Sequence, residues 1–395
     1  LTAQEAVALD ARTIGDGDGY ALMRRAGGAA AHWIAARFAE TPCAAVYCGS
    51  GNNGGDGWVV AAVLRAAGWR VAVVAPRAPT TPDARRARDD ALAAGLFDAA
   101  TGDEPVVVDA LLGTGARGAV RPALGDAHER LRRAAAAGAR IVALDLPSAL
   151  DATSGEAHDV VPADVTLSFG GAKRGALVRR DLVGELVVLD IGLVDADPAV
   201  PRLVDATLAR ALVPALPIDA YKGTRGRLAI VGGDAGMAGA VILAARGAHA
   251  SGAGMVRCIV DERSLVPLQC AVPFATVEPW AGDAAWPVME GVWPHALVIG
   301  PGLDGGASPD SVAAERVRTG VARQLTAWRG PVLLDGGALS AFAGMVPALR
   351  TLVDGRPALV TPHAGEFARL LGRPEARASI DRFAETAPLA AALGA

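Results

Sequence analysis

The chain has 395 residues, 52% of them hydrophobic and 20% charged, a composition that buries a core and excludes a disordered chain. Its length suits two domains of ordinary size. Lys plus Arg number 38 against 42 for Asp plus Glu, so there is no basic surplus to neutralise nucleic-acid phosphates, and nucleic acid is not an expected partner.

From the amino terminus, Thr2-Ala-Gln-Glu5 has the form of a capping box and predicts a leading helix that carries Val7, Leu9 and Ile14. No basic n-region or long apolar h-region marks a secretory signal there. A strand over 44–48 follows, then a Gly/Asn-rich loop, a helix over 58–67 and a strand over 70–75, which together make one βαβ unit. Short apolar runs over 105–109, 141–145, 165–169 and 185–190 continue the rhythm and suit strands buried on both faces of a parallel sheet. Prolines and aspartates crowd 195–201 and again 214–217, so the sequence places a domain boundary between residues 200 and 201.

A second alternation starts with a strand over 227–231, a glycine loop, a helix over 239–250 and a strand over 255–260. Strands over 296–299, 332–335 and 358–361 and a helix over 365–371 follow, and the rest reads as an alanine-rich tail. Every apolar stretch is broken well before the roughly 18 residues of a membrane span, so no membrane association is expected. Cys43, Cys48, Cys258 and Cys270 show no C-x-x-C spacing, which argues for a reducing cytoplasmic setting without disulfides or zinc.

Ligands of open parallel sheets bind beyond the carboxyl ends of the strands, and the loops there are rich. Gly49-Ser-Gly-Asn-Asn-Gly-Gly-Asp-Gly57 precedes a helix, where glycines allow close backbone approach and the helix N-terminus favours an anion. Asn52, Asn53 and Asp56 add fixed polar atoms. Asp109 stands at a strand tip before a second glycine loop with Thr114 and Arg117. In Asp145-Leu-Pro-Ser148 a strand-end carboxylate is placed to act as general acid or base, or only to cap the turn before Pro147. Amide, carboxylate and hydroxyl oxygens of Asn53, Asp109 and Ser148 suit a hard cation. The six histidines have no zinc-hydrolase spacing. Lys173 and Lys222 are the only lysines, both in glycine-rich segments, and read either as selected point charges or as leftover surface residues.

The succession Cys48-Gly-Ser-Gly-Asn-Asn-Gly-Gly-Asp-Gly57, Asp109-Ala-Leu-Leu-Gly-Thr-Gly115, Asp145-Leu-Pro-Ser148 and Gly171-Ala-Lys-Arg174 resembles the NAD(P)H-hydrate epimerase family. Tyr221-Lys-Gly-Thr-Arg-Gly-Arg-Leu-Ala-Ile-Val-Gly-Gly-Asp234, with Ala238-Gly-Ala240, Ile299-Gly-Pro-Gly302 and Thr361-Pro-His-Ala-Gly-Glu366, resembles the ADP-dependent NAD(P)H-hydrate dehydratase family. The resemblance implies a Rossmann-like three-layer αβα epimerase domain over 1–200 and an incomplete ribokinase-like α/β domain over 201–395. Their joint function would be nicotinamide nucleotide repair: epimers of NAD(P)H hydrated at C6 (NAD(P)HX) interconvert in the first domain, and the S form is dehydrated in the second.

By the same resemblance the hydrate lies over Asn52, Asn53, Gly54, Gly55 and Asp56 and over Gly113, Thr114, Gly115, Ala116, Arg117, Gly118 and Ala119. Asn53, Asp109 and Ser148 hold K+, Asp145 is the acid/base, and Lys173 neutralises phosphate or steadies Asp145. Ala240, Gly302 and His363 would contact the hydrate in the second domain, which would use ADP or ATP with Mg2+; His363 reads equally as a turn residue after Pro362. The family's habit points to a homo-oligomer.

Three departures carry consequences. Ala149 replaces a glycine that follows the serine, and would strain the loop if that position needs positive φ. Asp335-Gly-Gly-Ala-Leu339 stands where the family reads Asp-Ala-Asp-Ala-Leu. The chain also stops before the family's later nucleotide and Gly-Thr-Gly-Asp loops, which predicts epimerisation without dehydration. The alternatives are a small-molecule kinase, which explains only the second half, and a non-catalytic nucleotide-binding module. A dehydrogenase is disfavoured, because the glycine loop departs from G-x-G-x-x-G and no acid closes the second strand.

Overall fold

The computed structural model describes every residue except 96, 195–199, 203, 282–285, 289–292, 307 and 374–380. The proline- and aspartate-rich segment 195–199 therefore lies outside the described residues. The chain divides into two compact units, Leu1–Ala211 and Leu212–Ala395.

In the first unit six strands form one sheet: β1 (Cys43–Cys48), β2 (Arg70–Val74), β3 (Val106–Ala110), β4 (Arg140–Leu144), β5 (Val165–Phe169) and β6 (Glu185–Leu189). Their order is β2-β1-β3-β4-β5-β6, and every pairing is parallel. The continuous apolar runs are explained by cover on both faces. In β1, Ala44, Val46 and Cys48 enter one hydrophobic cluster, while Ala45 and Tyr47 point the other way into a second. The chain leaves β1 toward β2 on one side and returns to β3 on the other, so the crevice of the sheet opens between the carboxyl ends of β1 and β3.

In the second unit the strands are β7 (Arg227–Val231), β8 (Met255–Asp261), β9 (Thr276–Trp280), β10 (Ala296–Ile299), β11 (Val332–Leu334) and β12 (Ala358–Val360). They too are all parallel, in the order β12-β11-β10-β7-β8-β9, a doubly wound arrangement whose switch point lies between β7 and β10. Ala229 and Val231 face one cluster and Ile230 the other. Both units thus have the expected α/β architecture.

Four differences from the sequence reading bear on the site or the core. The helix expected over 58–67 is Asn52–Ala66, so the Gly/Asn-rich stretch is mostly helix. The helix Gly19–Arg37 was not foreseen; its small residues let it lie so close to Asn52–Ala66 that a Cβ on Gly27 would stand 2.6 Å from the Cβ of Val59. The edge strand β9 was also missed, since Thr276-Val-Glu-Pro-Trp280 contains a proline and a charge, which an edge tolerates. In the segment read as a tail, Arg382–Leu393 is a helix capped by Asp381, with Leu389 and Leu393 in the second unit's core. No helix among the described residues is long and apolar enough to cross a membrane.

Candidate functional site

Glycine lets three pieces of backbone meet at the end of β1. A Cβ on Gly49 would stand 1.9 Å from the carbonyl oxygen of Leu111, and one on Gly54 would stand 1.9 Å from that of Gly49. The turn after β1 is thereby pressed between the loop after β3 and the first turn of its own helix. Asn53 is held beneath the second glycine loop: its Nδ2 donates to the carbonyl of Leu112 at 3.0 Å, and a Cβ on Gly113 would be 2.9 Å from that of Asn53.

Beside it, Asp109 is not at a solvent-facing tip but buried inside β3. Its Oδ1 accepts from the Ser148 hydroxyl at 2.6 Å and from the Leu111 amide at 3.1 Å, and its Oδ2 accepts from the Ser148 amide at 2.8 Å. Ser148 Oγ in turn accepts from the Leu112 amide at 2.9 Å. Burial pushes the Asp109 carboxyl up, against the pull of these donors. Within this nest the Oδ1 atom of Asn53 is buried and has no hydrogen-bond partner among the described residues. Among the described residues no three His, Cys, Asp or Glu side chains gather as a metal site, so a cation here would rest on mixed amide, hydroxyl and carboxylate oxygens.

Asp145 follows β4 with φ +66°, a conformation that Asp adopts more readily than most residues. Its amide donates to the carbonyl of Leu167 at 2.8 Å, fixing the turn. The carboxylate is buried and ion-paired through Oδ1 with Lys173, while Oδ2 accepts from the hydroxyl of Thr114 in the second glycine loop. The Phe169 amide lies 3.4 Å from Oδ1, and Lys173 Nζ also donates to the Phe169 carbonyl at 2.9 Å. Lys173 is thus a buried, fully engaged charge rather than a leftover surface lysine. Four residues on, Ala149 is buried with φ +70°, the strained case foreseen for that position.

These groups surround a cavity of about 710 Å³ in the first unit. Asn52, Asn53 and Asp56 line it from the helix start, Gly113, Thr114, Gly115, Ala116, Arg117 and Ala119 from the second loop, and Asp145 and Lys173 from the far side. Of the other expected residues, Gly54 and Gly55 lie behind the wall as close-packing positions: a Cβ on Gly55 would meet the Met23 sulfur at 2.6 Å. Gly118 turns its loop at φ +73°. Asp56 has its carboxyl held well above the ordinary carboxylate range by burial and by the neighbouring carboxylates Asp145 and Asp10. Asp10, on the first helix, and Arg77, after β2, also line the cavity. No motif marked Asp10, but Arg77 stands where the sequence reading looked for an acid and found none.

In the second unit, a Cβ on Gly302 (φ +67°) would be 3.2 Å from that of Ala240 and 2.4 Å from the Met237 carbonyl oxygen, so these two expected contacts come together after β10 and β7. Asp234, after β7, accepts from the Asp304 amide at 2.7 Å and pairs with Arg316. His363 caps the helix Ala364–Leu370. Its Nδ1 accepts from the Gly365 amide at 3.0 Å, while Glu366 returns a bond to the His363 amide at 3.0 Å. The ring stays largely exposed above that cap. At Asp335-Gly-Gly, a Cβ on Gly337 would stand 2.2 Å from the carbonyl oxygen of Leu303, so a second carboxylate does not fit there without moving the backbone.

Fold and site together define a pair of parallel α/β units, the first with a nucleotide-sized crevice at its switch point and a buried carboxylate–lysine pair inside. The family model described as YjeF-related protein N-terminus matches residues 19–175, and that described as NAD(P)H-hydrate dehydratase matches residues 228–393. The bifunctional NAD(P)H-hydrate repair enzyme Nnr of Escherichia coli is 35% identical over 377 residues, covering 92% of this chain and 69% of that one. Its counterpart in Thermanaerovibrio acidaminovorans is 34% identical over 384 residues, 89% of this chain and 72% of that one. A solved structure of the ADP/ATP-dependent NAD(P)H-hydrate dehydratase from Bacillus subtilis is 30% identical, covers 48% of this chain and 62% of that one, and has a TM-score of 0.38. The chain belongs to the family of bifunctional NAD(P)H-hydrate repair enzymes.

Proposed function

We propose that an epimerase domain over residues 1–200, within the first unit, interconverts the R and S epimers of NAD(P)HX at Asp145. The observation that carries this is the buried Asp145–Lys173 pair on the cavity wall, tied to the second glycine loop by Thr114. Epimerisation at C6 needs loss and return of one hydroxyl. A proton passes from the pair to the C6 hydroxyl, the C6–O bond breaks as the N1 electron pair moves in, and water leaves a planar C6=N1 iminium. Water then adds to either face, the π pair returns to N1, and the proton returns to the pair. Lys173 and Thr114 hold the carboxylate in one orientation throughout, and the glycine loops hold the ring and its phosphates beside it.

Asn53, Asp109 and Ser148 would hold K+. The orphaned Asn53 Oδ1 supports that fit, because a buried carbonyl-type oxygen without a donor suits a cation. The ion would supply a fixed positive charge at the mouth of the β1–β3 crevice. The dehydratase domain, which we assign to residues 201–395, is the part that in the intact parent would dehydrate the S epimer with ADP or ATP and Mg2+, with Ala240, Gly302 and His363 on the hydrate. We place the protein in the reducing cytoplasm, in keeping with its four free cysteines, and read it as a homo-oligomer, to be checked by sedimentation.

The test is chromatographic. The R epimer of NADHX is supplied with potassium, and S-epimer formation is followed above the spontaneous rate. Asp145→Asn is expected to lower the accelerated rate by about 10²- to 10⁴-fold, the usual contribution of a positioned proton-transfer group. Wild-type protein that is folded and no faster than buffer would sink the epimerase assignment. Replacing potassium with a bulky organic cation is expected to slow the wild type. ADP- or ATP-dependent loss of the S epimer tests the second unit.

A further inference from the structure

The loop between β2 and the helix Pro82–Ala93 forms part of the cavity wall, and it is pinned from two sides. The Thr80 amide and hydroxyl both donate to the carbonyl of Ser50, at 2.8 and 2.9 Å, and the Thr81 hydroxyl donates to Asn52 Oδ1 at 2.6 Å. From the helix, Arg85 donates through Nε to the Pro79 carbonyl at 3.3 Å and through Nη2 to that of Thr80 at 2.7 Å. The β2 loop is therefore fastened to the glycine turn at the start of Asn52–Ala66.

Within this fastened loop Arg77 faces the cavity, exposed, with no hydrogen bond or ion pair to any described residue. A guanidinium left in this state presents a planar fork of donors that matches a phosphate group. Its place in the fold gives that fork a definite address. In the dinucleotide-binding form of the doubly wound sheet the pyrophosphate sits at the helix N-terminus after the first strand and the adenosine ribose at the end of the second, its neighbour, and this sheet keeps the same β2-β1 neighbourhood beside its switch point. An acid in the second place takes a ribose 2′-hydroxyl, and an arginine takes a 2′-phosphate. Here the segment after β2 reads Ala75-Pro-Arg77-Ala78 and contains no acid. The reacting end, at Asp145 after β4, is three strands away from β2 in the sheet, roughly 14 Å at the usual strand spacing. That span leaves the glycine turn in the middle for the pyrophosphate.

We infer that Arg77 recognises the ribose 2′-phosphate, so that the first unit selects hydrated NADPH over hydrated NADH. This rests on the epimerase reading for its substrate, but the recognition itself is a property of the cavity. It is tested by binding first and by rates second, on the full chain. Adenosine 2′,5′-bisphosphate and adenosine 5′-monophosphate are titrated by calorimetry at low salt. The bisphosphate is expected to bind about tenfold or more tightly, as a charge-assisted phosphate contact would give. Arg77→Ala is expected to erase the difference and Arg77→Lys to restore part of it, with melting temperatures little changed because the exposed side chain makes no hydrogen bond or ion pair to a described residue.

In the epimerase assay, kcat/KM is expected to favour NADPHX by a similar factor, through KM, and Arg77→Ala to lower the NADPHX value about tenfold more than the NADHX value. Equal binding of the two adenosine phosphates by the wild type, or equal losses on both hydrates in Arg77→Ala, would overturn the inference. Selective binding by a protein inactive on both hydrates would leave Arg77's role standing and remove the epimerase reading instead.

Discussion

Ala149 is the residue where sequence and backbone disagree most sharply. It is buried at φ +70°, a region that costs an alanine of order 1–2 kcal/mol and costs a glycine almost nothing. Ala149→Gly is expected to stabilise the first unit by about 1 kcal/mol, less than the full strain because glycine also loosens the unfolded chain. A urea midpoint that fails to rise would show that the Ala149 methyl contributes more by packing than its backbone loses.

Asp56 carries strain of another kind. Its carboxyl is held above the ordinary value of about 3.9 by burial and by Asp145 and Asp10, with Lys173 pulling only partly the other way. Ionising it therefore opposes folding: its favourable contribution is complete below the ordinary carboxylate pKa and is lost as pH rises through the raised one. Asp56→Asn is expected to melt higher than wild type at pH 7, by about 2–4 °C per kcal/mol relieved, and the gap is expected to close near pH 4. A gap independent of pH would rule out the titration as its source. Loss of activity in the same variant would fit a site that keeps an unfavourably placed carboxyl for function.

At the scale of elements, the helix Asn52–Ala66 positions the site more than any other. It begins immediately after the glycine turn, so Asn52, Asn53 and Asp56 project from a rigid first turn instead of a loose loop. Gly54 makes this possible, since any side chain there would run into the Gly49 backbone. Gly54→Ala is expected to destabilise the first unit by about 2–3 kcal/mol, as overpacked cores do, and to abolish hydrate binding, because the helix start must back away from β1. Denaturant unfolding and a binding titration on one preparation would check both. A stable variant that still binds would mean that the turn is more adaptable than these distances allow. The sequence hides the helix because Asn and Gly are turn formers, and only the approach of Gly49, Gly54 and Leu111 makes glycine the residue required there.

At the scale of the whole molecule, each unit has its own sheet and its own hydrophobic clusters. Residues of the first unit make up one set of clusters and residues of the second make up the other. Residues 1–211 expressed alone are therefore expected to unfold in one cooperative transition and to epimerise NADHX at the rate of the full chain. A molten or inactive 1–211 would mean that the first core depends on the second half.

Composition, the capping box at Thr2 and the apolar runs of both halves were enough to determine a two-part parallel α/β protein, because strands covered on both faces must be apolar throughout. The motifs also marked Asp145, Lys173, Thr114, Asn53, Asp109 and Ser148 individually. Which of these touch was decided only by the fold. Contact between Asp145 and Thr114, or between Ser148 and Asp109, joins residues 31 and 39 positions apart that meet only when β3 and β4 lie side by side. Positive φ at Ala149, the orphaned oxygen of Asn53, the unpaired fork of Arg77 and the capping role of His363 were likewise decided only in the folded chain. The Asn53 oxygen and the Arg77 fork depend on which groups the tertiary structure brings near them, of which local propensity carries no record, whereas the φ of Ala149 and the His363 cap on Gly365 and Glu366 are local geometry that the sequence left open between two readings.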